Sequence, residues 1–327
     1  MPVINRIAEF TNDMKMWRRD IHAHPETAFS EERTSKIVAN KLEGFGVKVH
    51  RGLAVTGIVG TLTNGTGPSI GLRADLDALD IQELNKFDYC SKHPGKMHAC
   101  GHDGHTTMLL GAARYLAETK KFSGTVQFIF QPAEENEGGG KLMVDDGLFE
   151  KFPVDAVYGM HNWPDLEAGT FAVVEGPLMA SFDKFELIIN GIGTHGGMPH
   201  RGVDPIPVAA EIVGALQTIV SRTIDPIDSA VVTVTQIHAG DAWNVIPESV
   251  LLRGTARSFR SEVQEDLEFS MRRIAEGICK AHNCTIDMTY ERRYPPTVNE
   301  RRAVKAARRA AEDVAGIDKL IDNTTPS

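Results

Sequence analysis

Two stretches of this chain combine the side chains that hold a divalent metal ion and use it. The first, Met97–His105, places one cysteine and three histidines in a short run that also contains glycines. The second, Gln131–Glu135, ends in two adjacent carboxylates that follow an apolar run. Thiolate, imidazole and carboxylate ligands together suit Zn²⁺, Mn²⁺ or Co²⁺, and a further carboxylate can take a proton from water. The two stretches therefore predict the core of a metal-dependent hydrolase.

Cys100 and His102 immediately precede a predicted helix that begins near Asp103. We expect the helix N-terminus to lower the pKa of the thiol and so favour the thiolate that binds metal. In the alternative interpretation Cys100 is a small buried hydrophobic residue and His102 only caps or packs. The flanking glycines and the density of histidines favour ligands.

Glu134 and Glu135 come just after a strand predicted to end at Phe130, where open α/β sheets bind their ligands. Neighbouring side chains at a strand end point in different directions, so one carboxylate can bind metal while the other faces water. Because Glu137 follows, a solvated charged loop is the alternative. His161 stands at the same end of the next predicted strand, so three strand ends would supply one site.

Other polar residues could support this site. Asp75, Asp77 and Asp80 follow a predicted strand, and one of them could accept a hydrogen bond from a ligating imidazole. Helix capping and turn formation are the alternative for these acids. Later in the chain stand three residues that could hold a substrate carboxylate and an oxyanion, or could simply be exposed loop or edge residues: His195, Asn244 and Arg257.

Apolar periodicity predicts the elements that must position these residues. The first part of the chain alternates predicted helices at 4–22, 31–44, 103–121 and 139–146 with predicted strands at 57–62, 69–73, 124–130 and 155–160. This alternation favours an α/β fold with a mostly parallel sheet.

The pattern changes after residue 180. Strands are predicted at 182–189, 230–237, 250–258 and 284–290, with helices at 205–222, 261–282 and 299–314. The order strand–helix–strand–strand–helix–strand is typical of an open-faced α+β sandwich with an antiparallel sheet. We predict a catalytic domain at 1–180, an inserted lid and dimerisation domain at 181–292, and a return to the catalytic domain at 293–327.

Composition excludes several functional classes. The chain has 327 residues and a net charge of −9, from 35 basic and 44 acidic side chains, which argues against nucleic acid or anionic membrane as a partner. The 4 cysteines are too few for a disulfide framework at this length. With no apolar signal core and no membrane-spanning run, a cytoplasmic protein is expected.

Five stretches, taken together, resemble the co-catalytic metallo-amidohydrolases typified by hippurate hydrolase, which include N-acyl-amino-acid deacylases, auxin-conjugate hydrolases and some carboxypeptidases. The stretches lie at 19–26, 71–79, 98–105, 131–135 and 193–205. The resemblance implies hydrolysis of N-acyl-L-amino acids with two divalent ions per subunit, and a homodimer formed through the lid domain.

The resemblance also implies roles for single residues. The implied metal ligands are Cys100, His102, Glu135 and His161. Glu134 would be the general base, and Asp75 would support a ligand from behind. In the lid, His195 would reach a neighbouring subunit's site, and Asn244 and Arg257 would bind the substrate carboxylate. His22 and His24 have the spacing of ligands, but the resemblance implies that they are structural.

In one respect the sequence departs from the family. Members continue for several dozen residues beyond Asn323–Ser327, through a Ser-Glu-Asp-Phe motif and a last metal-binding histidine. We therefore expect a truncated chain with a weakened metal site and uncertain activity. Three alternatives stay open: a dipeptidase or carboxypeptidase at the same site, a catalytically silent metal-binding dimerisation partner, and a redox role for Cys100.

Overall fold

The computed structural model describes residues 5–135 and 137–321, and these fall into two compact units. The first unit contains the described residues up to Val173 and a returning segment that starts at Arg302; the second contains Val174–Arg301. The predicted catalytic and lid roles, with boundaries after residues 180 and 292, stay predictions. Ile4, the start of the first predicted helix, lies outside the described residues. So does Asn323–Ser327, the segment at which a truncation is expected.

The helices form close to where the apolar periodicity predicts them. In chain order they are α1 (Asn5–Glu9), α2 (Thr11–His22), α3 (Glu32–Gly44), α4 (His102–Thr119), α5 (Gly139–Asp145), α6 (Leu148–Lys151), α7 (Pro205–Thr218), α8 (Ser261–Ala281) and α9 (Arg301–Ala315). The first predicted helix is interrupted at Phe10, which is buried between α1 and α2. The helix predicted to reach residue 222 changes to a π-helical turn after Thr218.

The strands belong to one main sheet in each unit and to several two-stranded pairs. They are β1 (Lys48–Leu53), β2 (Gly57–Asn64), β3 (Ser69–Asp75), β4 (Gly124–Gln131), β5 (Ala156–Gly159), β6 (Phe171–Ala172), β7 (Gly176–Met179), β8 (Phe182–Asn190), β9 (Thr194–His195), β10 (Ala230–Ala239), β11 (Val245–Ile246), β12 (Ser249–Ser258), β13 (Thr285–Tyr294), β14 (Thr297–Asn299) and β15 (Leu320–Ile321).

The first unit has a five-stranded sheet in the order β1-β2-β4-β3-β5. Strands β3, β4 and β5 run parallel, whereas β1-β2 and β2-β4 pair antiparallel. The α/β class is confirmed, but the sheet is mixed rather than mostly parallel. The difference arises because β2 pairs antiparallel with β4 and also forms a hairpin with β1, a strand that the apolar pattern does not predict.

Strand β4 shows how this sheet is held between two layers. Phe128 and Phe130 face one side and pack with residues of α3 and α4, while Ile129 faces the other side with residues of α5 and α6. All three side chains are buried, and each contributes about 1.5–3 kcal/mol by leaving water. A strand buried on both faces explains the near-continuous apolar sequence. It also fixes the carboxyl end of β4 beside that of β3, where Asp75 pairs with Gln131.

The second unit contains the predicted α+β sandwich. Its antiparallel sheet has the order β10-β12-β8-β13, and helices α7 and α8 pack against it. Alternating residues of β8, such as Leu187 and Ile189, enter the core with Ile212 of α7 and Leu267 of α8. The predicted fold class, an α/β unit together with a second α+β unit, is therefore confirmed. Among the described residues, no helix is long and apolar enough to cross a membrane.

Candidate metal centre

The carboxyl ends of β3, β4 and β5 and the start of α4 bring thiol, imidazole and carboxylate groups together in the first unit. The candidate ligand atoms of Cys100, His102 and His161 lie within 4.8 Å of one another, and so do those of His102, Glu134 and Glu135. His102 belongs to both groups. The five residues predicted as ligands and general base therefore meet in one place, although they come from separate parts of the chain.

His102 is oriented so that one ring nitrogen faces the cluster. Its Nδ1 lies 2.8 Å from the carbonyl oxygen of Asp77 and 3.3 Å from that residue's Oδ1. Its Nε2 is buried, has no hydrogen-bond partner in the described chain, and lies 4.0 Å from Oε1 of Glu135. A buried nitrogen without a partner is unfavourable, and a metal ion would satisfy it. The residues present therefore fit a metal.

The electrostatics around His102 also favour a cation. Burial lowers the pKa of His102, but the hydrogen bond with Asp77, the neighbouring Cys100 and the charge of Asp75 outweigh it and raise the pKa to about 11. Such a shift means that the surrounding negative charge strongly favours one added positive charge. A bound divalent ion would also place positive charge beside these groups.

Cys100 and His161 face each other directly, with Sγ 3.4 Å from Nε2. Burial lowers the pKa of His161 and so favours the neutral ring that can bind metal. The expected lowering of the thiol pKa is wrong. The neighbouring His102 lowers the pKa of Cys100, but burial and the carboxylates of Glu135 and Glu134 outweigh it and raise the pKa.

The loop that carries the two glutamates is tied down by hydrogen bonds from its backbone. Ala133, at φ 49°, donates its N–H to the buried carboxylate of Glu31 at 2.8 Å, and Glu135 donates its N–H to Oδ2 of Asp77 at 2.9 Å. Both glutamates are half-buried, which argues against the alternative of a solvated loop. Burial, with a contribution from Glu135, raises the pKa of Glu134 to about 6.

Asp75 does not contact Nδ1 of His102, because Asp77 occupies that position. Asp75 is fully buried, and its Oδ1 accepts a hydrogen bond from Nδ1 of His105 at 2.6 Å. Its Oδ2 lies 2.6 Å from Arg73 and 3.6 Å from Nε2 of His102. Although burial opposes ionisation, Arg73 holds the pKa of Asp75 well below its usual range. That Asp75 supports a metal ligand stays a prediction. In the structure its carboxylate contacts His105 and Arg73, so any such support would be transmitted through His105.

His22, set aside as structural, lies in a second buried polar cluster in the same unit. Its Nδ1 is 3.0 Å from Asp103 and its Nε2 is 3.2 Å from Glu83. The hydrogen bond to Asp103 raises the pKa of His22 against the effect of burial. Neither Glu83 nor Glu31 was singled out from the sequence, because nothing in the pattern separates these acids from exposed ones.

The three predicted substrate-binding residues lie in the second unit. His195 on β9 pairs with Val245 on β11, and Asn244 directly precedes that strand. Both side chains are exposed. Arg257 lies on β12, with its guanidinium 4.9 Å from the ring centre of Phe182.

Comparison with known proteins identifies close relatives along most of the chain. A hippurate hydrolase of Campylobacter jejuni is 42% identical over 317 residues, which are 97% of this chain and 82% of that protein. An N-acetylcysteine deacetylase of Bacillus subtilis is 42% identical over 300 residues, covering 90% of this chain and 78% of that protein. The expectation of a hydrolase from the metallo-amidohydrolase family is confirmed by these relatives.

Structural comparison agrees with the sequence. A Bacillus subtilis protein described as a dinuclear metal-binding peptidase from the M20 family superposes with a TM-score of 0.81 at 36% identity, over 98% of this chain and 84% of that one. The sequence also matches the family described as Peptidase family M20/M25/M40 over residues 71–327. This match over more than half of the chain, with relatives at 42% identity, shows that the chain belongs to the M20/M25/M40 peptidase family.

Proposed function

We propose that the protein hydrolyses the amide bond of N-acyl-L-amino acids at the candidate metal centre. One observation carries the proposal: thiol, imidazole and carboxylate groups converge on a buried nitrogen of His102 that has no partner in the described chain. The relatives named hippurate hydrolase and N-acetylcysteine deacetylase support this substrate class.

The residues that would hold two divalent ions are Cys100, His102, Glu135 and His161. Their mixture of sulfur, nitrogen and oxygen donors suits Zn²⁺, Mn²⁺ or Co²⁺. When bound, such an ion polarises the scissile carbonyl group and lowers the pKa of water. The free thiol at Cys100 must stay reduced, so we also propose that the protein works in a reducing compartment such as the cytoplasm.

Glu134 is the proposed general base. With a pKa of about 6 its carboxylate is largely ionised at neutral pH, yet it can carry a proton for the duration of a reaction. Glu134 accepts a proton from the attacking water on a carboxylate oxygen and then delivers it to the nitrogen of the departing amino acid. The backbone of its neighbour Glu135 is anchored by the hydrogen bond from the Glu135 N–H to Asp77.

His195, Asn244 and Arg257 are the proposed substrate-binding groups. Nδ1 of His195 accepts a hydrogen bond from the N–H of Gly197 at 3.0 Å, so the neutral ring carries its hydrogen on Nε2. That N–H can donate to a developing oxyanion, while Arg257 and Asn244 can bind the carboxylate of the amino acid.

We further propose a homodimer formed through the second unit. Strand β10 is at the edge of its sheet and pairs only with β12 among the described residues. It exposes apolar side chains, including Val231 and Ile237, and the nearby Trp243 is fully exposed. An exposed apolar edge strand favours pairing with a second copy. Light scattering that gives the mass of one chain would exclude this dimer.

The decisive experiment replaces Glu134 by glutamine and measures both metal content and hydrolysis of hippurate. We expect turnover to fall by about 10²–10⁴-fold, because proton transfer is lost, while metal content is retained. The exposed Glu150→Gln variant is the control for removal of one carboxylate. Unchanged turnover in Glu134→Gln would exclude Glu134 as the base.

A substrate panel separates the remaining alternatives. Hippurate and N-acetylcysteine report amide hydrolysis of N-acyl amino acids, whereas dipeptides and longer peptides report dipeptidase or carboxypeptidase activity. Stoichiometric metal without turnover of any of them would favour a catalytically silent dimerisation partner.

A further inference from the structure

We propose that His105 is a positioning residue that holds His161 opposite Cys100, acting through Asn162. The proposal deepens the proposed function and rests on it, because His161 and Cys100 are the ligands whose arrangement is at issue. His105 itself is not proposed as a ligand, although its ring lies in the same cluster as His102 and Asp75.

Both ring nitrogens of His105 already have partners. Nδ1 lies 2.6 Å from Oδ1 of Asp75, and a carboxylate there can only accept, so Nδ1 carries the hydrogen. Nε2 contacts Asn162 twice: it accepts the backbone N–H of that residue at 3.0 Å and lies 2.5 Å from its side-chain Oδ1. Asp75 is in turn fixed by Arg73 at 2.6 Å. His105 therefore links the end of β3 to the segment that follows β5.

This arrangement distinguishes His105 from His102. His102 has one ring nitrogen that is buried and has no hydrogen-bond partner in the described chain, as a metal ligand requires. His105 would have to break its hydrogen bond to Asn162 before Nε2 could bind an ion. Its ring is buried, so neither nitrogen is exposed to water as an alternative partner.

Asn162 transfers the constraint to His161. The carbonyl oxygen of Asn162 accepts a hydrogen bond from Nδ1 of His161 at 2.6 Å, which leaves Nε2 of that ring 3.4 Å from Sγ of Cys100. The side chain of Asn162 also packs on Gly101, where an added Cβ would lie only 2.3 Å from Oδ1 of Asn162. Asn162 is thus held by two residues at the start of α4, next to Cys100.

Two substitutions at His105 separate positioning from simple space filling. In His105→Gln the amide oxygen reaches the place of Nε2 and can still accept the N–H of Asn162, but the hydrogen bond to Asp75 is lost. In His105→Asn the shorter amide can still donate to Asp75 but does not reach Asn162. If the contact with Asn162 matters, His105→Gln should keep metal binding and His105→Asn should lose it. If His105 only fills space, this difference is not expected.

The probe is Co²⁺ added to metal-free protein, followed by the absorption band of cobalt bound to a thiolate. We expect His105→Asn to weaken Co²⁺ binding by about 10–100-fold and reduce the thiolate band, and His105→Gln to stay near the wild type. His22→Asn, a buried histidine with two partners elsewhere, is the control and should lower the melting temperature without changing the band. Equal loss in both His105 variants would overturn the proposal.

Crystal structures of the metal-free variants separate this proposal from the proposed function. If His161 keeps its position beside Cys100 in His105→Asn, the positioning role is refuted whatever the metal does. If the wild type binds no Co²⁺ but His161 moves in His105→Asn and not in His105→Gln, the positioning role is supported and the proposed metal site fails.

Discussion

Replacing Asp77 by asparagine should weaken metal binding by about 10–100-fold, which corresponds to about 1.4–2.7 kcal/mol. One carboxylate here serves two proposed ligands: it lies 3.3 Å from Nδ1 of His102 and accepts the N–H of Glu135 at 2.9 Å. Asparagine keeps one side-chain oxygen, so its NH₂ group must face one of those two donors.

The same substitution has a separate effect of similar size on folding. The backbone carbonyl of Asp77 still accepts from His102 at 2.8 Å, so only one donor loses its partner. A buried donor without a partner costs about 1–3 kcal/mol of the free energy of unfolding. We expect the metal-free variant to stay folded at room temperature, with a reduced melting temperature.

The assay is a titration of metal-free protein with Zn²⁺ in competition with a chromophoric chelator, beside urea unfolding without metal. Asp80→Asn is the matched control, because Asp80 belongs to the same acidic stretch but is exposed. If Asp77→Asn and Asp80→Asn bind Zn²⁺ equally well, Asp77 does not orient a ligand and the geometric argument fails.

Two further predictions concern the surroundings of the site. Gly101→Ala should lower the free energy of unfolding by at least about 1–2 kcal/mol, because φ is 88° and the new Cβ would collide with Asn162; a melting temperature equal to the wild type would contradict this. The pKa of His22 is raised by Asp103 and Glu83, so its stabilising effect is complete below about pH 6.5 and is lost as pH rises through the folded-state pKa. The stability difference between wild type and His22→Gln should therefore shrink from pH 6 to pH 9, and a constant difference in urea unfolding would show that His22 does not titrate.

The elements of this fold are largely predictable because their apolar periodicity is strong. Strand β4 and helix α8, for example, occur within a few residues of their predicted positions. Strand β1 is missed because most of its residues are exposed or half-buried and give neither a continuous nor an alternating apolar pattern. Without β1 one antiparallel pair is missing from the prediction, and the antiparallel pairing of β2 with β4 has no signal in the apolar pattern either.

The site was predictable in its residue types but not in its hydrogen bonds. Cysteine, histidines and glutamates at strand ends gave the cluster, because parallel strands end at one edge. Which aspartate supports His102 was not predictable, since Asp75 and Asp77 lie two residues apart and both are buried. The backbone N–H of Asn162 carries no sequence signal, although it bonds the ring of His105 to which we assign the positioning of His161.

The interruption of the first unit also has a consequence for the order of folding. Residues Val174–Arg301 form one continuous segment, so the core of the second unit can close as soon as that segment has been synthesised. The first unit must wait longer, because strand β15 pairs with β6 across the whole inserted segment. Joining distant segments is slow and costs loop entropy, and folding of the insert first shortens that loop. During synthesis, the first unit is therefore expected to complete its folding after the second unit, although its chain emerges from the ribosome first.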